Sequence, residues 1–172
     1  MRTALIATVL TSLFPILAAT EVAAQQENCR NFSWSIGRAI DLFDEPLPTV
    51  QSNQSLPKEG VFALVLKPVS DVIYPLTPER GSDSAWGGVM TIENVPAGRY
   101  QIALSEEAWV EAVQENKRLV TFASRRVHEC RGVRRSVDVD VQGEPLTLQI
   151  GGAVAHRINI AVVRIWPFEW RW

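Results

Sequence analysis

Residues 137–163 read VDVDVQGEPLTLQIGGAVAHRINIAVV, and this stretch decides the fold. Val137, Val139 and Val141 alternate with Asp138 and Asp140 at period two, the pattern of a strand with one dry and one wet face. Gly143 then breaks the chain, Leu146-Thr147-Leu148-Gln149-Ile150 repeats the alternation, and Gly151-Gly152 separates it from Ile158-Asn159-Ile160-Ala161-Val162-Val163. Three short strands with glycine punctuation describe antiparallel β-structure, not a helical domain.

Upstream segments extend the pattern. Val61-Phe62-Ala63-Leu64-Val65-Leu66 is a continuous apolar run stopping at Pro68, as expected of a strand buried on both faces. Val72-Ile73-Tyr74 is a short extended piece closed by Pro75. Val89-Met90-Thr91-Ile92 and Arg99-Tyr100-Gln101-Ile102-Ala103-Leu104 flank Pro96-Ala97-Gly98 and together read as a hairpin. A second hairpin is expected from Trp109–Gln114 and Arg118–Phe122 around Glu115-Asn116-Lys117, because Asn116 tolerates positive φ; a helix from Glu106 to Asn116 is the alternative. The predicted fold is all-β, an antiparallel sandwich or jelly roll of about eight strands.

Near the start of this domain Ser35 is placed to cap a short helix carrying Ile36, Ile40 and Phe43, whereas Phe32, Trp34 and Ile36 would suit a strand; both readings stand. Asp44 to Gly60, with Pro46, Pro48 and Pro57 among polar residues, is expected to be a long surface loop without regular structure.

Arg2, the apolar run from Ala4 to Ala19 and the small residues Val22 and Ala24 form a secretory signal, with cleavage expected between Ala24 and Gln25. A retained anchor is disfavoured because the run falls short of the ~20 residues a spanning helix needs and contains Pro15. The expected organisation is a signal over 1–24 and a single domain over 25–172, periplasmic or secreted. A mature chain of this size buries ~68–70% of its unfolded surface, enough for one core. A net charge of −2 provides no global field for nucleic acid.

Both cysteines, Cys29 and Cys130, fall in the mature part, where a disulfide between them is expected to persist. The rival is a reactive thiol at Cys130 with His128 as its base. The histidines, His128 and His156, could meet a metal with Glu129, but their spacing matches no ligand motif, so no metal or cofactor is expected. No Gly-x-Ser-x-Gly elbow or phosphate-binding glycine loop occurs; Gly87-Gly88 and Gly151-Gly152 read as turns at strand boundaries.

The segment from Arg125 to Arg135 packs five arginines, Arg125, Arg126, Arg131, Arg134 and Arg135, around one half-cystine. Guanidinium forks held there suit an anionic glycan, a lipid headgroup or an acidic envelope protein. The competing reading is a solvated loop balanced by Glu106, Glu107, Glu111, Asp138 and Asp140. The tail from Ile165 to Trp172 is aromatic: Trp166 suits packing on the domain, and Trp170 and Trp172 suit either packing or partner binding. Asn31-Phe32-Ser33 and Asn53-Gln54-Ser55 fit the glycosylation acceptor pattern.

The order Cys29, Phe32-x-Trp34, Gly98-x-Tyr100, Ala108-Trp109, Cys130 and Arg135-Ser136-Val137 resembles a family of small exported bacterial proteins without an assigned mechanism, whose members often carry an automatic homogentisate 1,2-dioxygenase label. An enzyme of that kind is far longer and holds iron through a His and Glu cluster that this sequence lacks, so no catalytic residue is carried over. The resemblance implies export and a β-domain. The expected function is a non-catalytic binding or envelope-associated domain; the alternative is a small metal-dependent dioxygenase.

Overall fold

The structure, a computed structural model, describes residues 37–80, 86–126, 130, 132–143 and 145–165, with Arg38, Arg125 and Arg126 described by their backbone alone. The expected signal, Cys29, the Phe32 to Ile36 alternatives, His128, Glu129, Arg131, Trp166, Trp170 and Trp172 lie outside the described residues.

The fold is a mostly β sandwich of two six-stranded sheets. The first sheet runs β1 (Thr49–Gln51), β3 (Val61–Val65), β12 (Arg157–Arg164), β6 (Gly98–Leu104), β10 (Arg135–Val141) and β9 (Thr121–Arg126). The second runs β2 (Gln54–Lys58), β5 (Trp86–Asn94), β11 (Leu146–Ala153), β7 (Trp109–Gln114) and β8 (Lys117–Arg118), with β4 (Lys67–Pro68) paired to β5. The alternation read from the sequence places Tyr100, Ile102, Leu104, Val137, Val139, Val141, Ile158, Ile160 and Val162 against Met90, Ile92, Val110, Ala112, Leu146, Leu148 and Ile150 in one core between the sheets. Each fully buried aliphatic there contributes about 1.5–3 kcal/mol over an exposed one.

Connections mostly cross between the sheets. The expected hairpin of Val89–Ile92 with Arg99–Leu104 is therefore corrected: β5 belongs to the second sheet and β6 to the first. The reason lies at the corner. Val95 is buried, and the Tyr100 hydroxyl, on a ring with no exposure, donates to the Pro96 carbonyl at 2.9 Å. That is the tyrosine-corner device, which turns a strand from one sheet into the other. The second expected hairpin does form between β7 and β8, through Glu115 and Asn116 at φ 46° and 59°, the signature of a tight primed turn. Its second strand stops at Arg118, and the chain crosses to the first sheet before β9.

Three further expectations change. The Asp44 to Gly60 segment holds β1 and β2, each of which buries one apolar residue, Val50 or Leu56, and pairs in parallel with β3 or β5. Pro57 is tolerated because β2 is an edge strand. The sheets are thus mixed rather than purely antiparallel, and the described strands number twelve instead of eight. Val72–Tyr74 joins neither sheet and follows a single 3-10 turn over Val69–Asp71. Asn53 sits exposed at the turn between β1 and β2, with φ 71°.

A short helix, α1 (Gly37–Phe43), carries Ile40 and Phe43 of the helical reading, while the strand reading over Phe32, Trp34 and Ile36 lies outside the described residues. It packs on the outer face of the first sheet, where Ala39, Ile40 and Phe43 meet Ala103, Ala161, Val163, Cys130 and Val133 in a satellite cluster. Small alanines at the sheet surface leave room for the helix to approach.

The glycine pairs are strand positions, not loop turns. Gly87-Gly88 lies inside β5 and Gly151-Gly152 inside β11, where the register with β5 slips between Ile150 and Ala153 and Gly152 takes φ 81°. Gly151 is required by contact: a Cβ there would collide with the Trp109 ring, and one at Gly87 would collide with the Tyr74 hydroxyl. We expect Gly151→Ala to destabilise the domain by about 1–3 kcal/mol in urea unfolding, through displacement of the Trp109 ring. A surface control, Gln142→Ala, should stay within ~0.5 kcal/mol.

Candidate binding crevice at the arginine-bearing edge

β7 carries Trp109 and Glu111 on the face turned away from the core, since Val110 and Ala112 occupy the inward positions. The segment after the 3-10 turn crosses this outer face as a strap. Tyr74 donates to the Ile150 carbonyl at 2.9 Å and lies 5.5 Å from Trp109, ring centre to ring centre. The Leu76 amide donates to Gln149 Oε1 at 3.2 Å, and the Glu79 amide donates to Glu111 Oε1 at 3.0 Å. Burial, reinforced by the negative charge of Glu111, holds the Tyr74 hydroxyl above its ordinary pKa, so it stays a donor.

Glu111 is the hub. Its Oε2 accepts from Arg118 Nε at 2.9 Å and from Gln149 Nε2 at 2.6 Å, while Arg118 also donates to Glu79 Oε1 at 2.9 Å and to the Thr77 carbonyl at 2.8 Å. The Gln149 side chain is fully buried, so its amide depends on this network for its hydrogen bonds.

Beside this network, at the open edge where the chain passes from β8 to β9, lies a crevice of about 380 Å³. It is lined by Arg118 and Glu111, by Thr121 and Ser124 of β9 and by Arg135 and Val137 of β10. Arg80, Arg118 and Arg135 outnumber Glu79 and Glu111 among its charged lining groups. Of the expected anion-binding residues, Arg135 is buried to 6% exposure in this crevice and Arg134 is half-buried next to it. Arg126 and Arg125 stand opposite Arg135 and Ser136 in the β9 register. Arg131 is not described.

The acids expected to balance the arginines are engaged elsewhere in part. Glu111 binds Arg118, and Asp140 binds Arg99 in a two-pronged pair at 2.8 and 3.2 Å. Arg99 also lies 4.6 Å from the centre of the Phe122 ring. The hydrogen bond from Arg99, then its charge, holds the Asp140 carboxyl below the usual range against a desolvation penalty. On the same outer face Asp138 is 2% exposed, and its Oδ2 has no hydrogen-bond partner among the described residues. Burial raises its pKa to about 6 despite the opposing Arg99 charge and a hydrogen bond with Gln101.

A larger hollow of about 620 Å³ lies beside α1 and the start of β3. Its Lys58 and Arg164 face Glu45 and Glu59, so it carries no excess of either charge. Arg164 donates to the Ala97 carbonyl at 2.7 Å. His156 is exposed with its ring 5.8 Å from Trp86, and among the described residues no three His, Cys, Asp or Glu side chains converge as metal ligands. Among the described residues no helix is long and apolar enough to cross a membrane.

Sequence reading missed Arg118, Trp109 and Glu111 as a unit, because the strap residues Tyr74, Thr77 and Glu79 that complete it come from a distant part of the chain. Asp138 had a signal, an acid in a strand facing what proves to be a covered surface, but the cover is a tertiary feature.

The Asp138 shift fixes a pH dependence. Its folded pKa lies above the unfolded value of 3.8, so the stability associated with this group is fully present below pH 3.8 and is lost as pH rises through about 6. Asp138→Asn should match the parent at acidic pH and exceed it by up to about 3 kcal/mol at neutral pH, as read by denaturant midpoints across the range.

Comparison with family models, with curated proteins and with solved structures finds no match to this chain.

Proposed function

We propose that this chain is an exported, non-catalytic binding domain that holds an anionic group at the arginine-bearing edge of its sandwich. The observation that carries this reading is the excess of arginine in the crevice, where Arg80, Arg118 and Arg135 stand against Glu79 and Glu111 and Arg118 is braced from three sides. Guanidinium forks lining such a crevice can donate parallel hydrogen bonds to the oxygens of an anion. Ser124 and Thr121 add hydroxyl groups at the same crevice.

Export and a disulfide belong to the same reading. Cys130 is 1% exposed beneath α1, no described cysteine is a free thiol, and Cys29 is the chain's other cysteine. A bond between them ties the segment before α1 to the outer face of the first sheet. Thiol titration of the unreduced protein in denaturant should find no free thiol. Reduction should lower stability by roughly 4–5 kcal/mol in the chain-entropy model. Two titratable thiols would remove the disulfide from this account.

Binding is tested with fluorescein-labelled octaglutamate, followed by anisotropy at low and high salt. We expect saturable binding that weakens steeply with salt, and a loss of about tenfold or more in Arg134→Glu. Arg135→Lys keeps the charge but removes the fork, and should cost affinity without removing salt dependence. Equal binding by Arg134→Glu and the parent would reject the site.

A further inference from the structure

We propose that the outer edge of β9, which pairs with no other described strand, receives an acidic, extended peptide segment of a partner protein as an added strand. This rests on the anion-binding reading above and names the partner class for the same edge.

The argument begins with how the other sheet ends are closed. β1 has three residues and β8 two, while β2 and β4 contain Pro57 and Pro68. Short length and proline are the usual protections of an open edge. β9 ends the first sheet among the described residues, has six residues and contains no proline. Its bulge against β10 falls at Asp138/Val139, so the pairing from Ala123 to Arg126 is regular.

Ser124, paired with the inward Val137, is exposed, and so is Phe122, which meets Arg99 on the outer side. Both pleats are thus open to a neighbour. Val120 and Phe122, 71% and 55% exposed, are two of the four large exposed apolar side chains among the described residues, and they sit at the start of this strand. Its far end carries Arg125 and Arg126, beside Arg134 and Arg135 at the start of β10. An added strand would lay apolar residues along Val120 and Phe122 and carboxylates along the arginine end, with main-chain hydrogen bonds supplying register. Charge complementarity selects an acidic peptide over a basic one.

The test uses the mature chain and a labelled peptide that alternates Glu and Val, with two analogues N-methylated on the odd or the even residues. A strand pairs through alternate amides on one edge, so one analogue should lose about tenfold or more in affinity while the other stays within about threefold. Phe122→Ala, on an exposed position that leaves the core intact, should weaken the parent peptide several-fold. Parent-like binding by both analogues would overturn strand addition while leaving the anion site standing. Binding to sulfated oligosaccharide or phosphatidylglycerol vesicles in place of the alternating peptide would also overturn it. Failure of octaglutamate and the alternating peptide alike would overturn both readings.

Discussion

Burial of two facing aliphatic rows is the interaction on which everything else in this molecule depends. Ile102, Leu104 and Val139 from one sheet share a core with Leu148, Ile150 and Ile92 from the other, and none is more than 1% exposed. Because side chains alternate, committing these residues inward commits their neighbours outward. Arg99, Asp138 and Asp140 are thereby set on one outer face and Trp109, Glu111 and Gln149 on the other. Slipping one strand by a residue would bury its polar set, so the core fixes the polar surfaces as firmly as it fixes itself.

The two outer faces are finished differently. On the first sheet, small alanines admit α1 and form a satellite core around Cys130. On the second, glycines admit aromatic rings, and the strap above them is held by hydrogen bonds converging on Glu111. The apolar cover tolerates adjustment, whereas the polar one does not: removing the Glu111 carboxylate takes the acceptor from a buried amide and a strap amide together and one of three contacts from Arg118. The crevice inherits its shape from that second, less forgiving construction.

How much of this was legible in the sequence follows from the range of the interactions involved. Period-two runs such as Val137–Val141 are local, and they identified the strands and the core residues. The partition of strands between sheets is not local: nothing between Ile92 and Tyr100 distinguishes a hairpin from a corner until the Tyr100 hydroxyl is seen to reach Pro96. Proline counts around Pro46 and Pro57 pointed to a loop because they record what a strand interior forbids, while edge strands obey a weaker rule. Arg135 was visible as one of a charged run, but its separation from that run as a buried group depends on the pleat of β10.

The sheet-crossing connections have a consequence for how the chain reaches this state. Most consecutive strands sit in opposite sheets, the described exceptions being β4 with β5, β7 with β8 and β9 with β10. Few contacts can therefore form before distant segments meet, and loop-closure entropy must be met early. High contact order of this kind places all-β domains in the millisecond-to-second range of folding. A polypeptide that acquires structure slowly keeps its apolar strands exposed for longer, so the two sheets must close on each other before those strands meet another chain.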